Sequence, residues 1–261
     1  MSTPDTEFQG QHVLVTGAAG GIGAALARRL LQQGARVTAL DADDAGLAAL
    51  QTETDASRLL TRVVDVSDAA AVDAAVAEAE ATLGPIDRLA CVAGVLQMGR
   101  VIDLDDAQWS RTLAINAGGV FHTCRAVARR MVERRRGAIV NVSSNAATTP
   151  RAGMAAYAAS KAAVTQLSRC LALELAEYGI RCNVVSPGST DTEMQRAMWR
   201  QGSSREAVIS GHAPSHRLGI PLGKIATPDD IVDSILFLLS DRAGHITLHD
   251  LRVDGGATLD Q

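Results

Sequence analysis

Two side chains in the segment AAYAASKAA, residues 155–163, could act together on an alcohol. Tyr157 and Lys161 are four residues apart, a spacing that places both on one face of a helix. Tyrosine has an ordinary pKa of about 10, and a nearby ammonium group favours its phenolate form. The pair therefore predicts a general base that accepts a hydroxyl proton. The same spacing also occurs by chance on surface helices, so the pair needs support from other residues.

Ser144 supplies this support. It ends the apolar run GAIVNVSS, residues 137–144, and precedes Tyr157 by 13 positions. The end of a strand and the helix that follows it can converge on one site. Asn116, within LAINAGGVF, is a polar residue in an apolar helical stretch. It is either a second polar member of this site or an amide bonded to its own helix backbone.

A glycine-rich turn follows the first apolar run, HVLVTG, and leads directly into a helical pattern. Glycines allow the backbone to turn tightly and to approach a pyrophosphate, whose charge is met by the helix N-terminus. The position of this turn, at the end of strand one of a repeating pattern, favours a dinucleotide site over an ordinary loop. The predicted contacts in the turn are Gly17, Gly21, Ile22 and Gly23.

Two acidic residues at later strand ends bear on the choice of dinucleotide. Asp41 ends the second run, where a carboxylate can bind the adenosine ribose and repel a 2′-phosphate, so NAD is favoured over NADP. The alternative for Asp41 is a helix N-cap. Asp65, followed by Val66, ends the third run, and it either caps the next helix, as Ser67 could, or contacts the adenine amino group.

Short apolar runs alternate with alanine-rich helical segments along the whole chain. The runs cover 12–17, 35–41, 59–66, 86–94, 137–144, 180–188 and 246–256, and long helical segments lie near 106–135 and 154–178. This order predicts an α/β fold: one doubly wound (Rossmann) parallel sheet of about seven strands with helices on both faces, in a single domain over 1–261. Thr227 and Pro228 are typical of a helix start, and ligands are expected at the carboxyl ends of the strands.

Composition excludes several classes of protein. The formal charge is −4, and the basic residues are scattered apart from Arg134, Arg135 and Arg136, so no nucleic-acid surface is expected. The start of the sequence lacks a signal-peptide pattern and no apolar stretch is long enough for a membrane span, which favours a cytoplasmic protein. The four cysteines are predicted to be buried rather than metal ligands or disulfide partners, and no metal is expected: Cys91, Cys124, Cys170 and Cys182.

The glycine turn, Asn116, Ser144, Tyr157 with Lys161, and Pro187-Gly188 together resemble, in order, the motifs of the short-chain dehydrogenase/reductase family. The resemblance covers essentially the whole chain. It implies that Tyr157 is the acid and base, that Lys161 lowers the pKa of Tyr157 and holds the nicotinamide ribose, that Ser144 positions the substrate oxygen, and that Asn116 supports a water. The further cofactor contacts that it implies are Ala93, Gly94, Pro187, Gly188, Thr190 and Thr192.

One position departs from this family. Cys91 begins Cys91-Val92-Ala93-Gly94, where members usually have asparagine. Asparagine there braces the central sheet, so the departure bears on local stability more than on catalysis. The resemblance also implies a homotetramer, with the two long helical segments packing across subunits.

The segment after Pro187-Gly188, residues 189–226, is expected to form a substrate lid. This segment, with TPRAGM and GVLQMG, is similar to members of the family that oxidise a small cyclic dihydrodiol carboxylate, 2,3-dihydro-2,3-dihydroxybenzoate. The implied carboxylate suits Arg151, with Gln97 and Arg100 as secondary candidates. Met194, Met198 and Trp199 are expected either to cover the ring or to pack the lid helix on the core. The predicted substrate residues are Ser144, Arg151, Met98 and Met194.

Three other functions fit the same residues. The amino analogue, trans-2,3-dihydro-3-hydroxyanthranilate, differs from the dihydrodiol at a single ring position, which one pocket donor or acceptor could distinguish. Reduction of 3-oxoacyl or other carbonyl compounds would usually favour NADPH, against which Asp41 argues. A non-catalytic NAD-binding sensor or scaffold would not need Ser144, Tyr157 and Lys161 together.

Overall fold

The computed structural model describes residues 6–54, 56–200 and 204–259. Its centre is one sheet of seven parallel strands in the order β3-β2-β1-β4-β5-β6-β7. The prediction of a doubly wound parallel sheet is confirmed. The strands are β1 (His12–Thr16), β2 (Arg36–Asp41), β3 (Leu59–Val63), β4 (Arg88–Cys91), β5 (Gly137–Val142), β6 (Ile180–Pro187) and β7 (Asp250–Val253).

Helices cover both faces of this sheet. They are α1 (Gly21–Gln32), α2 (Asp44–Thr52), α3 (Ala69–Leu83), α4 (Asp106–Leu113), α5 (Gly119–Arg134), α6 (Ala155–Ala176), α7 (Glu193–Arg200), α8 (Arg205–Ser210) and α9 (Pro228–Leu239). Alternate residues of β1 show how the core divides. Val13 and Val15 join the apolar cluster of α1 and α9, while Leu14 joins the cluster of α3, α5 and α6. Burial on both faces explains why the strands are continuous apolar runs.

Several element boundaries differ from the sequence prediction. The helical segment near 106–135 is two helices, α4 and α5, joined by a π-helical turn at Ala114–Gly118. The third and seventh strands are shorter than their apolar runs, because β3 ends at Val63 and β7 covers only Asp250–Val253. Thr227 caps α9 and Pro228 occupies its first turn, as expected. No helix in the described ranges is long and apolar enough to cross a membrane.

The cysteine prediction is correct for three residues and wrong for one. Cys91, Cys124 and Cys182 are buried, but Cys170 is exposed on α6. Apolar neighbours in sequence do not decide which face of a helix a residue occupies. The Cys91 and Cys124 sulfur atoms are 3.9 Å apart, and the Cys124 thiol contacts the Asn141 amide oxygen at 3.4 Å. In this chain the packed thiols of Cys91 and Cys124 therefore lie beside β4, at the position where an asparagine was expected from the family resemblance.

Strand order reverses between β1 and β4, because the chain first builds β2 and β3 on one side of β1 and then β4 to β7 on the other. The loops after β1 and β4 diverge at such a point and leave a crevice at the carboxyl edge of the sheet. Segment 189–226, which is expected to form the lid, begins at this edge after β6. Its two ends are joined, because Thr190 pairs with Ala226 and the Asp191 and Ala226 amides donate to the Ala226 and Ser189 carbonyls at 2.8 and 3.1 Å.

Candidate active site

A cavity of about 480 Å³ occupies the crevice at the carboxyl edge of the sheet. Most of the residues that the sequence nominated for cofactor or substrate contact line it. These are Gly17, Gly21, Ile22, Gly23, Asp41, Asp65, Val66, Ala93, Gly94, Ser144, Arg151, Tyr157, Lys161, Pro187, Gly188, Thr190, Thr192 and Met194. The topology thus brings together side chains that are up to 177 positions apart, from Gly17 to Met194.

The glycine turn has no room for side chains at two positions. Gly17 has a φ of +71°, and a Cβ atom there would lie 2.6 Å from the Ala93 nitrogen. A Cβ atom on Gly23 would lie 2.0 Å from the Gly17 carbonyl oxygen. The Thr16 hydroxyl accepts bonds from the Val92 and Ala93 amides at 3.2 and 3.3 Å, which holds the turn against the loop after β4. This bare backbone at the start of α1 fits the pyrophosphate of a dinucleotide.

Asp41 and Asp65 line the cavity, and neither caps a helix. Asp43 is the N-cap of α2 and Asp68 is the N-cap of α3, so the cap alternatives for Asp41, Asp65 and Ser67 are wrong. The Asp41 carboxylate accepts bonds from the Ala19 and Asp43 amides, at 2.9 and 3.0 Å, and so braces the glycine turn against the loop after β2.

Asp65 is also fixed by its neighbours. Its carboxylate accepts bonds from the Ser67 hydroxyl and amide at 2.7 and 2.9 Å, which lowers the pKa of Asp65. Asp65 is therefore ionised at neutral pH and lies at the same side of the cavity as Asp41, after the neighbouring strand.

Tyr157 and Ser144 form the polar centre of the cavity. Burial raises the pKa of Tyr157, and the nearby side chain of Ser144 partly opposes this rise. A neutral phenol is thus the favoured state of the protein alone, so the lowering expected from Lys161 requires the positive charge of an oxidised nicotinamide as well.

Lys161 is buried one helical turn after Tyr157. It is 3 % exposed, its ammonium group donates to the Val142 carbonyl at 2.9 Å, and the ammonium nitrogen lies 5.8 Å from the centre of the Tyr157 ring. Burial lowers the pKa of Lys161 to about 8. Keeping the Lys161 ammonium group charged beside the Tyr157 phenol therefore lowers the stability of the folded protein.

The unfolding free energy of the protein without ligands should show the destabilising effect of Lys161 as a dependence on pH. An unfolded lysine has a pKa of about 10.4, so between about pH 8 and about pH 10.4 the unfolded chain binds more protons, and Lys161 opposes folding less as pH rises through this window. We expect Lys161→Met to raise the unfolding free energy at pH 7 by about 1–3 kcal/mol, and this gain should shrink towards pH 10. Chemical unfolding across this pH range measures both.

The control for this prediction is Lys224→Met. Lys224 is exposed and pairs with Asp230 at 3.2 Å, so its removal should change stability little at any of these pH values. A Lys161→Met protein that is less stable than the parent at pH 7, or a difference that does not change with pH, would contradict the prediction.

Asn116 lies in the π-helical turn and is fully buried. Its amide oxygen accepts from the Val95 amide at 2.8 Å, and its amide nitrogen donates to the Val95 carbonyl and the Ser160 hydroxyl at 3.0 and 2.9 Å. It does not line the cavity directly, but a Cβ atom on Gly94 would touch both Asn116 and Lys161. Asn116 thus positions the loop after β4 beside Lys161.

The first residues of the lid lie against the cofactor side of the cavity. Gly188 packs on Asp254, where a Cβ atom would come within 2.6 Å, and a Cβ atom on Gly21 would lie 3.2 Å from a Thr192 methyl group. The Thr190 hydroxyl donates to the Gly188 carbonyl at 3.2 Å. Thr192 therefore lies against Gly21 at the start of α1, and Thr190 is bonded to the backbone that follows β6.

The apolar residues of the lid divide between two sites. Met194 and Met198 line the cavity, whereas Trp199 packs against a separate cluster that contains Val208 and Ile220. Trp199 therefore fits the packing alternative, and the expectation that it covers the ring is wrong. Its position in α7 turns it away from the methionines.

The substrate residues nominated after β4 and β5 separate in the same way. Arg151 lines the cavity, but Met98 is 36 % exposed and lies beside Gly153, outside the cavity lining. The Gln97 amide donates to the Met98 carbonyl at 3.0 Å, and Arg100 pairs with Asp103 at 3.5 Å. The structure therefore brings Arg151 to the site and leaves Met98, Gln97 and Arg100 at its outer rim.

Comparison with known proteins agrees with this geometry. The family model described as short chain dehydrogenase matches residues 11–202. The chain belongs to the short-chain dehydrogenase family. It is thus an oxidoreductase, and the family implies a nicotinamide cofactor.

Two curated relatives of this short-chain dehydrogenase have the same activity in their names. It is 49% identical over 254 residues to 2,3-dihydro-2,3-dihydroxybenzoate dehydrogenase of Bacillus subtilis, with 97% of each chain covered. It is 45% identical over 260 residues to the vibriobactin-specific 2,3-dihydro-2,3-dihydroxybenzoate dehydrogenase of Vibrio cholerae, with 98% and 99% covered.

Solved structures show the same fold under different names. A chain described as ribose-5-phosphate isomerase from Brucella melitensis has a TM-score of 0.88 and 34% identity, with 97% of this short-chain dehydrogenase and 94% of that chain covered. A short chain dehydrogenase/reductase family protein has a TM-score of 0.83 and 31% identity, with 96% and 98% covered. Fold similarity alone therefore does not decide the substrate.

Sequence reasoning missed four cavity residues of segment 189–226, which are Ser189, Glu193, Gln195 and Arg217. Arg217 and Gln195 both line the cavity, and the Gln195 amide nitrogen is buried without a hydrogen-bond partner among the described residues. Gln195 directly follows Met194, so the helical spacing of the lid could have indicated it. Arg217 lies in an irregular segment 29 positions after Gly188, where no periodic pattern was available to place it.

Proposed function

We propose that this short-chain dehydrogenase oxidises 2,3-dihydro-2,3-dihydroxybenzoate to 2,3-dihydroxybenzoate with NAD, in the cytoplasm, for the biosynthesis of a catecholate siderophore. The observation that supports this most is a cavity that is lined by Tyr157 and Ser144 and also by Arg151. An alcohol-oxidising pair and a carboxylate partner are what this substrate requires. The names of the relatives from Bacillus subtilis and Vibrio cholerae support the same substrate.

Tyr157 and Ser144 would work on the C3 hydroxyl of the ring. Ser144 donates to the hydroxyl oxygen and holds it, while the ionised Tyr157 oxygen accepts the hydroxyl proton. The buried ammonium group of Lys161 stabilises the phenolate. A bound nicotinamide would supply the acceptor for the hydride that leaves C3 with its electron pair. The proton that Tyr157 receives then passes to solvent.

The product of this step is a ring ketone, which loses the proton on C2 and gains one on its oxygen to become a catechol. Aromatisation draws the reaction towards product, so the protein needs to supply only positioning and one proton acceptor. Arg151, in the segment between Ser144 and Tyr157, would hold the carboxylate during the transfer.

The test is turnover by the purified protein with NAD and, separately, the dihydrodiol and its amino analogue. We expect NADH absorbance to rise with the dihydrodiol, and 2,3-dihydroxybenzoate to be the aromatic product. Turnover of the amino compound alone would replace the proposed substrate and keep the mechanism. No turnover of either compound would remove the proposed function.

The buried Gln195 nitrogen is a donor without an acceptor among the described residues, and a hydroxyl or carboxylate oxygen of a bound substrate can accept its proton. The dihydrodiol and its amino analogue both carry such oxygens, so the turnover experiment is what distinguishes them.

We propose NAD rather than NADP as the cofactor because of Asp41. Its carboxylate is held at the end of β2 by the Ala19 and Asp43 amides and faces the cavity, where it would repel a 2′-phosphate. We expect Asp41→Ala to reduce the ratio of kcat/KM with NAD to kcat/KM with NADP by about 10- to 100-fold. Steady-state kinetics with both cofactors measures this ratio, in which damage common to both cancels.

Asp44→Ala is the matched control for this substitution. Asp44 is exposed, lies three positions further along the chain, and is outside the cavity lining, yet it carries the same charge. Its ratio should equal that of the parent protein. An unchanged ratio in Asp41→Ala, or an equal change in both variants, would remove Asp41 as the discriminating residue.

We also propose a homotetramer. Trp109, Phe121 and Leu173, on α4, α5 and α6, are 42 %, 44 % and 65 % exposed, so these helices present apolar side chains that a second subunit could cover. We expect sedimentation to give four times the chain mass, and Leu173→Glu to shift this mass to smaller species. A monomeric parent protein would remove the proposal.

A further inference from the structure

We propose that Arg217 of the lid is a specificity-determining residue, which together with Arg151 holds the carboxylate of the substrate from two separate segments of the chain. This inference rests on the proposed function for the identity of the carboxylate. The carboxylate site itself follows from the position and charge of the two arginines.

The side chain of Arg217 is part of the cavity and its direction is fixed. One guanidinium nitrogen donates to the Ser189 hydroxyl at 3.0 Å, at the base of the lid. The backbone of Arg217 is held by His212, through bonds of 2.9 and 3.1 Å in both directions. Gly211 and Gly219 pass so close to each other that a Cβ atom on Gly211 would lie 2.7 Å from the Gly219 nitrogen. The segment that presents the guanidinium is therefore pre-organised.

The positive charges around Arg217 favour the binding of an anion. Burial lowers the pKa of Arg217, and the positive charge of Arg151 lowers it further, so the two guanidinium groups are close enough to repel. Within the described ranges Arg217 forms no ion pair. The one acidic residue of the lid that lines the cavity, Glu193, is paired with Arg200. A carboxylate between Arg151 and Arg217 would convert this repulsion into two charge-assisted contacts.

The other acidic residues of the cavity lie on the opposite side of the glycine turn. Asp41 and Asp43 follow β2, and Asp65 follows β3, whereas Arg151 follows β5 and Arg217 belongs to the lid after β6. The side expected for adenosine thus holds three acidic residues and Arg111, whose positive charge acts on Asp65, whereas Arg151, Arg217 and Lys161 line the side of Tyr157 and Ser144. An anionic ring substrate is attracted to the side with these basic residues.

A guanidinium group binds a carboxylate better than it binds a hydroxyl group. Arginine presents several N–H donors in one plane, and a carboxylate can accept from two of them in parallel. Because Arg151 belongs to the wall of the cavity and Arg217 to the lid, a carboxylate bound by both also links the lid to the wall.

The experiment compares two ligands that differ only in the charged group. Calorimetry with the full chain and NAD measures the affinity for 2,3-dihydroxybenzoate and for catechol, which has the same hydroxyl groups and no carboxylate. We expect the parent protein to bind 2,3-dihydroxybenzoate more tightly. Arg217→Ala should weaken its binding by about 10- to 100-fold and leave catechol binding unchanged. In turnover, the loss should appear mainly in KM for the dihydrodiol.

Two further variants keep the test sharp. Arg205→Ala removes an exposed arginine of the same lid, outside the cavity lining, and should change neither affinity. Arg217→Lys keeps the charge without the fork and should restore part of the lost affinity. Unaltered NAD binding by each variant establishes that it is folded.

The outcomes distinguish this inference from the proposed function. Equal weakening of both ligands in Arg217→Ala, or no weakening of either, would overturn the role of Arg217 even if the dihydrodiol is turned over. A selective loss of 2,3-dihydroxybenzoate binding, in a protein that does not oxidise the dihydrodiol, would keep the carboxylate site and remove the proposed substrate.

Discussion

Replacing Tyr157 with phenylalanine is expected to lower kcat by about 10²- to 10⁴-fold and to leave NAD binding within a few-fold of the parent value. The substitution removes one oxygen atom, which is the proposed proton acceptor and whose pKa the nearby Ser144 side chain lowers. The ring stays and keeps its contacts with Lys161. Turnover of the dihydrodiol and NAD titration measure the two effects separately.

The chain contains a matched control for this change, because it has only one other tyrosine. Tyr178 packs against Arg135, whose guanidinium carbon is 5.4 Å from the ring centre, and it lies outside the cavity lining. Tyr178→Phe should therefore keep full activity. Turnover by Tyr157→Phe at a rate near that of Tyr178→Phe would refute the assignment of the proton acceptor.

The second large effect is expected from Gly23→Ala in the glycine turn. The added methyl group would lie 2.0 Å from the Gly17 carbonyl oxygen, far inside van der Waals contact. Gly17 has no space to move away, because the Ala93 backbone lies on its other side, where a Cβ atom on Gly17 would be 2.6 Å from the Ala93 nitrogen. Relief requires the turn and α1 to separate, so we expect a loss of about 1–3 kcal/mol in unfolding free energy together with loss of NAD binding. Chemical unfolding and calorimetry measure these quantities.

Gly20→Ala tests whether this loss is steric. Gly20 belongs to the same turn, has an extended backbone with a φ of −159°, and has open space where its Cβ atom would lie. We expect a loss of less than about 1 kcal/mol, from its position as N-cap. Equal destabilisation by both substitutions would show that the clash with Gly17 does not govern the turn.

The sheet could be predicted from sequence because strands that are buried on both faces appear as continuous apolar runs. Val13, Leu14 and Val15 alternate between two apolar clusters, so the whole strand must be apolar. The ends of the helices were harder to predict, because several neighbouring residues could each serve as the N-cap. Asp65, Ser67 and Asp68 are all acceptable N-cap residues, and only the path of the chain after β3 selects Asp68.

The site was predictable where its residues sit at fixed places on regular elements. Gly17, Asp41 and Ser144 follow strands, and Tyr157 and Lys161 share a helix face, so topology alone brings them together. The lid is different, because its packing depends on contacts that are distant in sequence. No local pattern shows that Trp199 turns to Ile220 while Met198 faces the cavity, or that Arg217 returns to Ser189.

The joined ends of the lid also bear on how such a protein can diverge. Ser189, Thr190 and Asp191 are bonded to Ala226, and the Leu222 amide donates to the Gly255 carbonyl at 3.1 Å, so both ends of the segment are fixed to the body of the protein. For a flexible loop with fixed ends, doubling the length costs only about 0.6 kcal/mol. Insertions, deletions and new side chains between these fixed ends can therefore accumulate and change the accepted substrate, while the strands and the dinucleotide turn are kept.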